Sequence, residues 1–236
     1  KSSLFALIRG ELHADSGELS LPPHSIIAHV AQESPAVDRS AIDYVMDGDT
    51  ELLEEAISLV CYRLDEKSQK SIRAGAAKIV EIVAEKQPQL VADHLQDLLP
   101  ALEVPEAQTR WMIIRTMGFC AKLNPEVARQ ALPFARRYIH EKTAGQLCLV
   151  SSADLYLGDY GALSAQHTGE VFHLLMDSTE NVIKNEQDWI MEAFLKIAEY
   201  LSREEKDQVL AFCDQYEDQP KKATLARIKK IQKICK

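Results

Sequence analysis

The chain has 236 residues, 46% of them hydrophobic, enough for one large domain or two small ones around a buried core. No apolar run reaches the ~18 residues needed to span a bilayer, and no basic stretch leads into an apolar one as in a secretory signal, so no membrane span is expected and the cytoplasm is the default address. The net charge of −9 is segregated: the last sixteen residues carry Lys221, Lys222, Arg227, Lys229, Lys230, Lys233 and Lys236 and no acid, so residues 1–220 carry −16, which disfavours nucleic acid and favours a protein partner.

The chain opens Lys1-Ser2-Ser3-Leu4-Phe5-Ala6-Leu7-Ile8, the pattern that closes a phosphate-binding loop, GxxxxGK[ST], and enters its helix. Further on come Asp15-Ser16-Gly17-Glu18-Leu19, the apolar Ile26-Ile27-Ala28-His29-Val30 followed by Ala31-Gln32-Glu33, and Ala41-Ile42-Asp43-Tyr44-Val45-Met46-Asp47-Gly48-Asp49. Together these stretches resemble the ABC-F type of ATP-binding-cassette protein. The resemblance implies that Lys1 is the phosphate-binding lysine, Ser2 the magnesium-binding hydroxyl and Gln32 the Q-loop glutamine, with ATP and Mg as cofactors. It covers about fifty residues. The glycine cradle would precede residue 1, and no LSGGQ-type signature or Walker B strand follows. Without those groups Lys1 and Ser2 cannot assemble a phosphoryl-transfer site, so residues 1–49 are read as a vestigial segment, a helix and a short hairpin, without catalysis. Leu59-Val60-Cys61-Tyr62-Arg63-Leu64-Asp65-Glu66 ends in the Asp-Glu of a Walker B strand, but Arg63 interrupts its apolar run and the stretch reads as helix.

From residue 50 the text changes. First-helix N-caps are readable at Thr50, Gln87, Asn124, Ser164 and Ser202, at spacings of 37, 37, 40 and 38 residues. That period predicts about five stacked helix pairs over residues 50–236. Pro88 and Pro125 stand where a first helical residue needs no N–H, and Ser202 with Glu205 forms a capping box. First helices are expected over 88–99 and 125–139, second helices over 106–123 and 143–157. In 106–123, Trp111, Ile114, Met117 and Ala121 recur at steps of three and four, a buried stripe.

Ile72-Arg73-Ala74-Gly75-Ala76-Ala77, and in part Thr109-Arg110-Trp111, place an arginine 23 residues after the caps Thr50 and Gln87. The pattern is similar to HEAT repeats, which implies an all-α, right-handed α-α superhelix of the HEAT/armadillo type. At the equivalent positions of the later pairs stand Leu147, Gln187 and Leu225. The second-helix row is the expected contact surface, with Arg73 and Arg110 read as structural rungs within it.

The remaining polar groups suggest little chemistry. Cys61, Cys120, Cys148, Cys213 and Cys235 are scattered without a CxxC pair and read as reduced, mostly structural thiols. His167, Glu170 and His173 share a helix face but lack the second cluster that a metal site needs, so they read as helix polarity. His13, His24, His29, His94 and His140 stand without ligand spacing. Asp188 beside Trp189, with Trp111 two repeats earlier, resembles the aspartate and aromatic cleft of HEAT-like DNA glycosylases. That resemblance implies a basic concave face, which this acidic body lacks, so both tryptophans are assigned to the core and the basic last helix to a solvated end cap. The expectation is a non-catalytic scaffold or adaptor for a protein partner, with no metal. The alternatives are an ATP-binding protein built on Lys1, Ser2 and Gln32, or a glycosylase built on Asp188.

Overall fold

The computed structural model describes residues 41–46, 50–140, 147–180, 182, 186–218 and 221–235. The chain divides into two compact units, residues 1–38 and 39–236. The described residues all belong to the second unit; Lys1, Ser2, Gln32 and all of the segment 1–49 except residues 41–46 lie outside them.

Among the described residues every regular element is helical, in line with the all-α expectation. Helix α1, Ala41–Met46, packs on α2, Thr50–Val60, and α3, Lys70–Lys86. A stretch of short turns follows, with one α-helical turn, α4, Leu95–Leu98, and then α5, Ala107–Cys120. Next come α6, Pro125–Arg129, α7, Leu132–His140, and α8, Leu147–Gly161. The chain ends with α9, Ala165–Thr179, α10, Gln187–Ile197, α11, Arg203–Asp214, and α12, Lys222–Cys235. The second helices α3, α5, α8, α10 and α12 each pack on the next, and each first element packs on the second helix of its own pair.

Local chemistry explains most boundaries. The Asn124 side chain accepts the Val127 N–H at 3.3 Å, and the Ser164 hydroxyl accepts that of His167. Ser202 and Glu205 close the full capping box. Gln87 instead turns its side-chain amide to the Met46 carbonyl, and no side-chain cap forms there. The boundary at Thr50 lies inside α2 rather than ahead of it.

Two expected helices are broken. Residues 88–99 do not form a single helix: 3₁₀ turns span Pro88–Leu90, Ala92–His94 and Leu99–Glu103 around α4. Pro100 has no N–H for the carbonyl four residues back, and its ring crowds that turn, so α winding stops at Leu98; the earlier breaks at Val91 and His94 have no such local cause. Burial survives the change, since Val91, Leu95, Leu98 and Leu102 still fall at steps of four, three and four and are fully covered. In 125–139 the winding stops at Arg129 and restarts at Leu132, which puts Pro133 in a first turn, where its missing N–H does no harm. The second helix expected at 143–157 is α8, extending to Gly161; residues 143–146 lie outside the described residues.

Helix α5 differs from the predicted single stripe. Ile114, Met117 and Ala121 are buried, but so are Thr109, Met112, Ile113, Thr116 and Cys120, because α3 and α8 cover it from either side. Trp111 is only half-buried against this core. Small residues let the second helices approach closely. A Cβ at Gly158 would stand 2.7 Å from the Ala193 Cα across the α8–α10 contact, and one at Gly118 would stand 3.2 Å from the Tyr156 Cα across α5–α8.

Candidate binding surface

Arg73 is 0% exposed. Its Nη1 donates to the carbonyls of Tyr62, Arg63 and Glu66 at 3.2, 2.8 and 3.1 Å, and its Nε and Nη2 grip the two Glu106 oxygens at 2.6 and 3.1 Å. The guanidinium thus ties the α2–α3 turn, where Arg63 adopts a left-handed φ of 43°, to the residue that precedes α5. Burial pushes the Glu106 carboxyl upward, but the Arg73 hydrogen bonds and charge overcome this and hold it below its ordinary value. Arg73 thus has a structural duty, bracing the α2–α3 turn against the start of α5. Arg110 stacks its guanidinium 5.4 Å from the Tyr138 ring centre, with its Nε buried and without a hydrogen-bond partner. Arg73 is not available to a ligand, and Arg110 is half-buried against the Tyr138 ring.

A chain of buried and partly buried charges runs from one second helix to the next. Arg115 of α5 meets Asp159 of α8 at 2.9 Å, and Asp159 also binds Lys196 of α10. Arg115 stacks on the Phe119 ring at 4.3 Å. Further along, Glu192 of α10 pairs with Arg227 of α12 at 3.0 Å. These links join residues 44, 37 and 35 positions apart, so each ties one second helix to the next.

Asp188, the aspartate of the glycosylase alternative, is part of this bracing. It is buried, binds Lys221, accepts the Thr224 hydroxyl at 2.7 Å and lies 3.7 Å from Arg227. Burial raises its carboxyl, and the Lys221 and Thr224 bonds with the two cations reverse the shift to leave it lowered. A carboxylate so occupied on α12 is not poised over an open cleft. The histidine face resolves likewise: the Ser164 hydroxyl meets His167 Nδ1 at 2.7 Å, Glu170 takes Arg129 and Tyr160, and His173 Nε2 lies 3.1 Å from an Arg136 nitrogen. Among the described residues no group of His, Cys, Asp and Glu is placed to hold a metal.

One open face is formed by α10 and its neighbour α12, beside smaller openings at α6–α7 and between α2 and α3. The core assignment fails for Trp189, which is 44% exposed. Helix α10 buries Ile190, Ala193, Phe194 and Ile197, which turns Trp189, Glu192 and Lys196 to the other side. Beside them an open groove of about 550 Å³ is lined by Glu192, Leu195, Lys196, Lys230, Lys233 and Ile234. The cysteines divide by burial: Cys120 and Cys213 are buried, which pushes both thiols up to about 12, while Cys148 is exposed, and all five are free. Of these residues the tryptophan and the tail lysines were visible in the sequence, though assigned elsewhere. Asp159, Lys196, Leu195 and Ile234 were missed, because their roles depend on partners about one repeat away. A helical wheel of α10 carries only a weak local signal, since Trp189 lies well away from Phe194 but close to the buried Ala193.

No protein-family model matches the chain. A probable ATP-binding protein YheS of Haemophilus influenzae is 53% identical over 51 residues, which cover 22% of this chain and 8% of that protein. A probable ATP-binding protein YheS of Escherichia coli is 34% identical over 94 residues, 34% of this chain and 15% of that protein. The chain therefore matches only a small part of these curated relatives. The partial matches support the ABC-F-like segment, and no helix among the described residues is long and apolar enough to cross a membrane.

Proposed function

We propose that residues 50–236 form a HEAT-like solenoid of about five helix pairs acting as a non-catalytic scaffold or adaptor in the cytoplasm, with a protein partner held on the second-helix row. The observation that carries this reading is Trp189, a large aromatic left 44% exposed on a face braced by the Arg115–Asp159–Lys196 chain. Exposed aromatics on rigid, pre-formed surfaces are the residue type that anchors protein interfaces. The candidate reactive groups of this domain, Asp188 and the His167, Glu170 and His173 face, are engaged in internal bonds. The test is a pull-down with the full chain, a chain beginning at Thr50 and the full chain carrying Trp189→Ala. A protein retained by the first two and depleted by the third is expected; retention by the full chain alone would move the function to residues 1–49.

A second reading is favoured by the partial matches to probable ATP-binding proteins. In it Lys1, Ser2 and Gln32 contribute to binding ATP and Mg. Calorimetric titration with Mg-ATP tests it, and submillimolar binding abolished by Lys1→Ala is the outcome it needs.

A further inference from the structure

Resting on the scaffold reading, we propose that the groove between α10 and α12 docks a short acidic segment of a protein partner carrying a large aliphatic side chain. The charges around the groove are not equivalent. Glu192 is answered by Arg227, and Asp188 by Lys221 and Arg227, so these carboxylates are neutralised within the fold. Lys196 is held by Asp159, which also meets Arg115, leaving that trio with one surplus positive charge. Lys230 and Lys233 are exposed, and neither has an ion pair among the described residues. They are one turn apart on α12 and line the same groove. The groove is therefore a positive island on a chain whose first 220 residues carry −16.

The island's size selects its ligand. Screening limits a charge to about 8 Å at physiological salt, so a short acidic segment seated in the groove meets chiefly Lys230, Lys233 and Lys196, which line it. A longer polyanion gains the other α12 cations but, once it leaves that helix, runs onto a body of net negative charge. The groove's apolar wall is Leu195, half-buried, and Ile234, 44% exposed between the lysines and the chain end. An exposed isoleucine flanked by lysine stems rewards an aliphatic side chain and offers nothing for base stacking.

The test uses the full chain and fluorescence anisotropy with three labelled probes: a short Glu/Asp peptide interrupted by two leucines, the same peptide with serines in their place, and oligothymidylate of matched charge. The leucine peptide is expected to bind best, and to weaken at least about tenfold in the double variant Lys230→Glu/Lys233→Glu. Ile234→Ser should bring the leucine peptide down to the serine one. Lys86→Glu/Lys122→Glu, the same charge change on exposed residues elsewhere, should leave binding intact, and far-ultraviolet circular dichroism should be unchanged in all variants. The proposal is overturned if the Lys230/Lys233 variant binds the leucine peptide as wild type does, or if oligothymidylate binds more tightly than the peptide. Should a protein partner from the pull-down cross-link to the second-helix row away from α12, the scaffold reading stands and the groove proposal falls; if neither partner nor peptide binds, both fall.

Discussion

Arg73 shows how much one side chain can organise when it is buried with each guanidinium nitrogen bonded. It neutralises Glu106 and gathers three carbonyls of the α2–α3 turn. Removing one partner of a buried pair leaves the other charge stranded, at a cost of about 3–5 kcal/mol. Arg73→Met should lower stability by that amount in urea unfolding, and Arg73→Lys should rescue little, because one ammonium cannot replace the forked geometry. A loss under ~1 kcal/mol would mean the turn is held by something else. Asp188 makes a pH-dependent claim. Its folded pKa is lowered, so its contribution is fully present above the ordinary carboxylate value near 3.9 and is lost as pH falls through the folded value. The stability gap between wild type and Asp188→Asn should be constant at neutral pH and close in acid; a gap that widened there would contradict the ion-pair account. Thiol labelling at neutral pH should modify exposed Cys148 first and reach Cys120 and Cys213 only on unfolding, since burial both shields those thiols and raises their pKa values to about 12.

At the scale of elements, what the sequence revealed was what is decided locally. Asn124, Ser164 and Ser202 cap as their types predict, because a cap needs only the next three residues. The stretch 88–99 departs from the single helix expected of it, since its apolar spacing fits an α-helix as well as the 3₁₀ turns that form. Trp189 was misassigned for a related reason: aromatic content says nothing of which side of α10 a residue occupies. The bracing residues were illegible because Asp159 acquires Arg115 and Lys196 only when three helices are side by side. That closeness depends on glycine. Gly158→Val should cost at least 1–3 kcal/mol through overlap with Ala193, whereas Gly75→Ala, on α3 with nothing within 4 Å of an added Cβ, should stabilise by up to about 1 kcal/mol. Thermal melts of the two variants shifting in the same direction would show that the α8–α10 approach is not tight.

For the helical unit as a whole, the substantial contacts among the described residues join only elements of the same or adjacent pairs. Stability in such an arrangement is close to a sum of pair and neighbour terms, so damage at one end should stay there. Helix α12 meets α10, the short turn Ala198–Tyr200 and α11, whose buried residues are Val209, Phe212 and Cys213, and its Thr224 bonds Asp188. A chain ending at Asp218 loses those contacts. Helix α11 then has little apolar contact left and should fray, while α3, α5 and α8 keep their neighbours on both sides. The expected result is a drop in helical ellipticity confined to the share of the last pair, a smaller urea m-value and new binding of a hydrophobic dye. Loss of the entire helical signal would instead mean that the five pairs fold as one indivisible unit. A solenoid reading, in which curvature and length are set pair by pair, would then have to be abandoned for this chain.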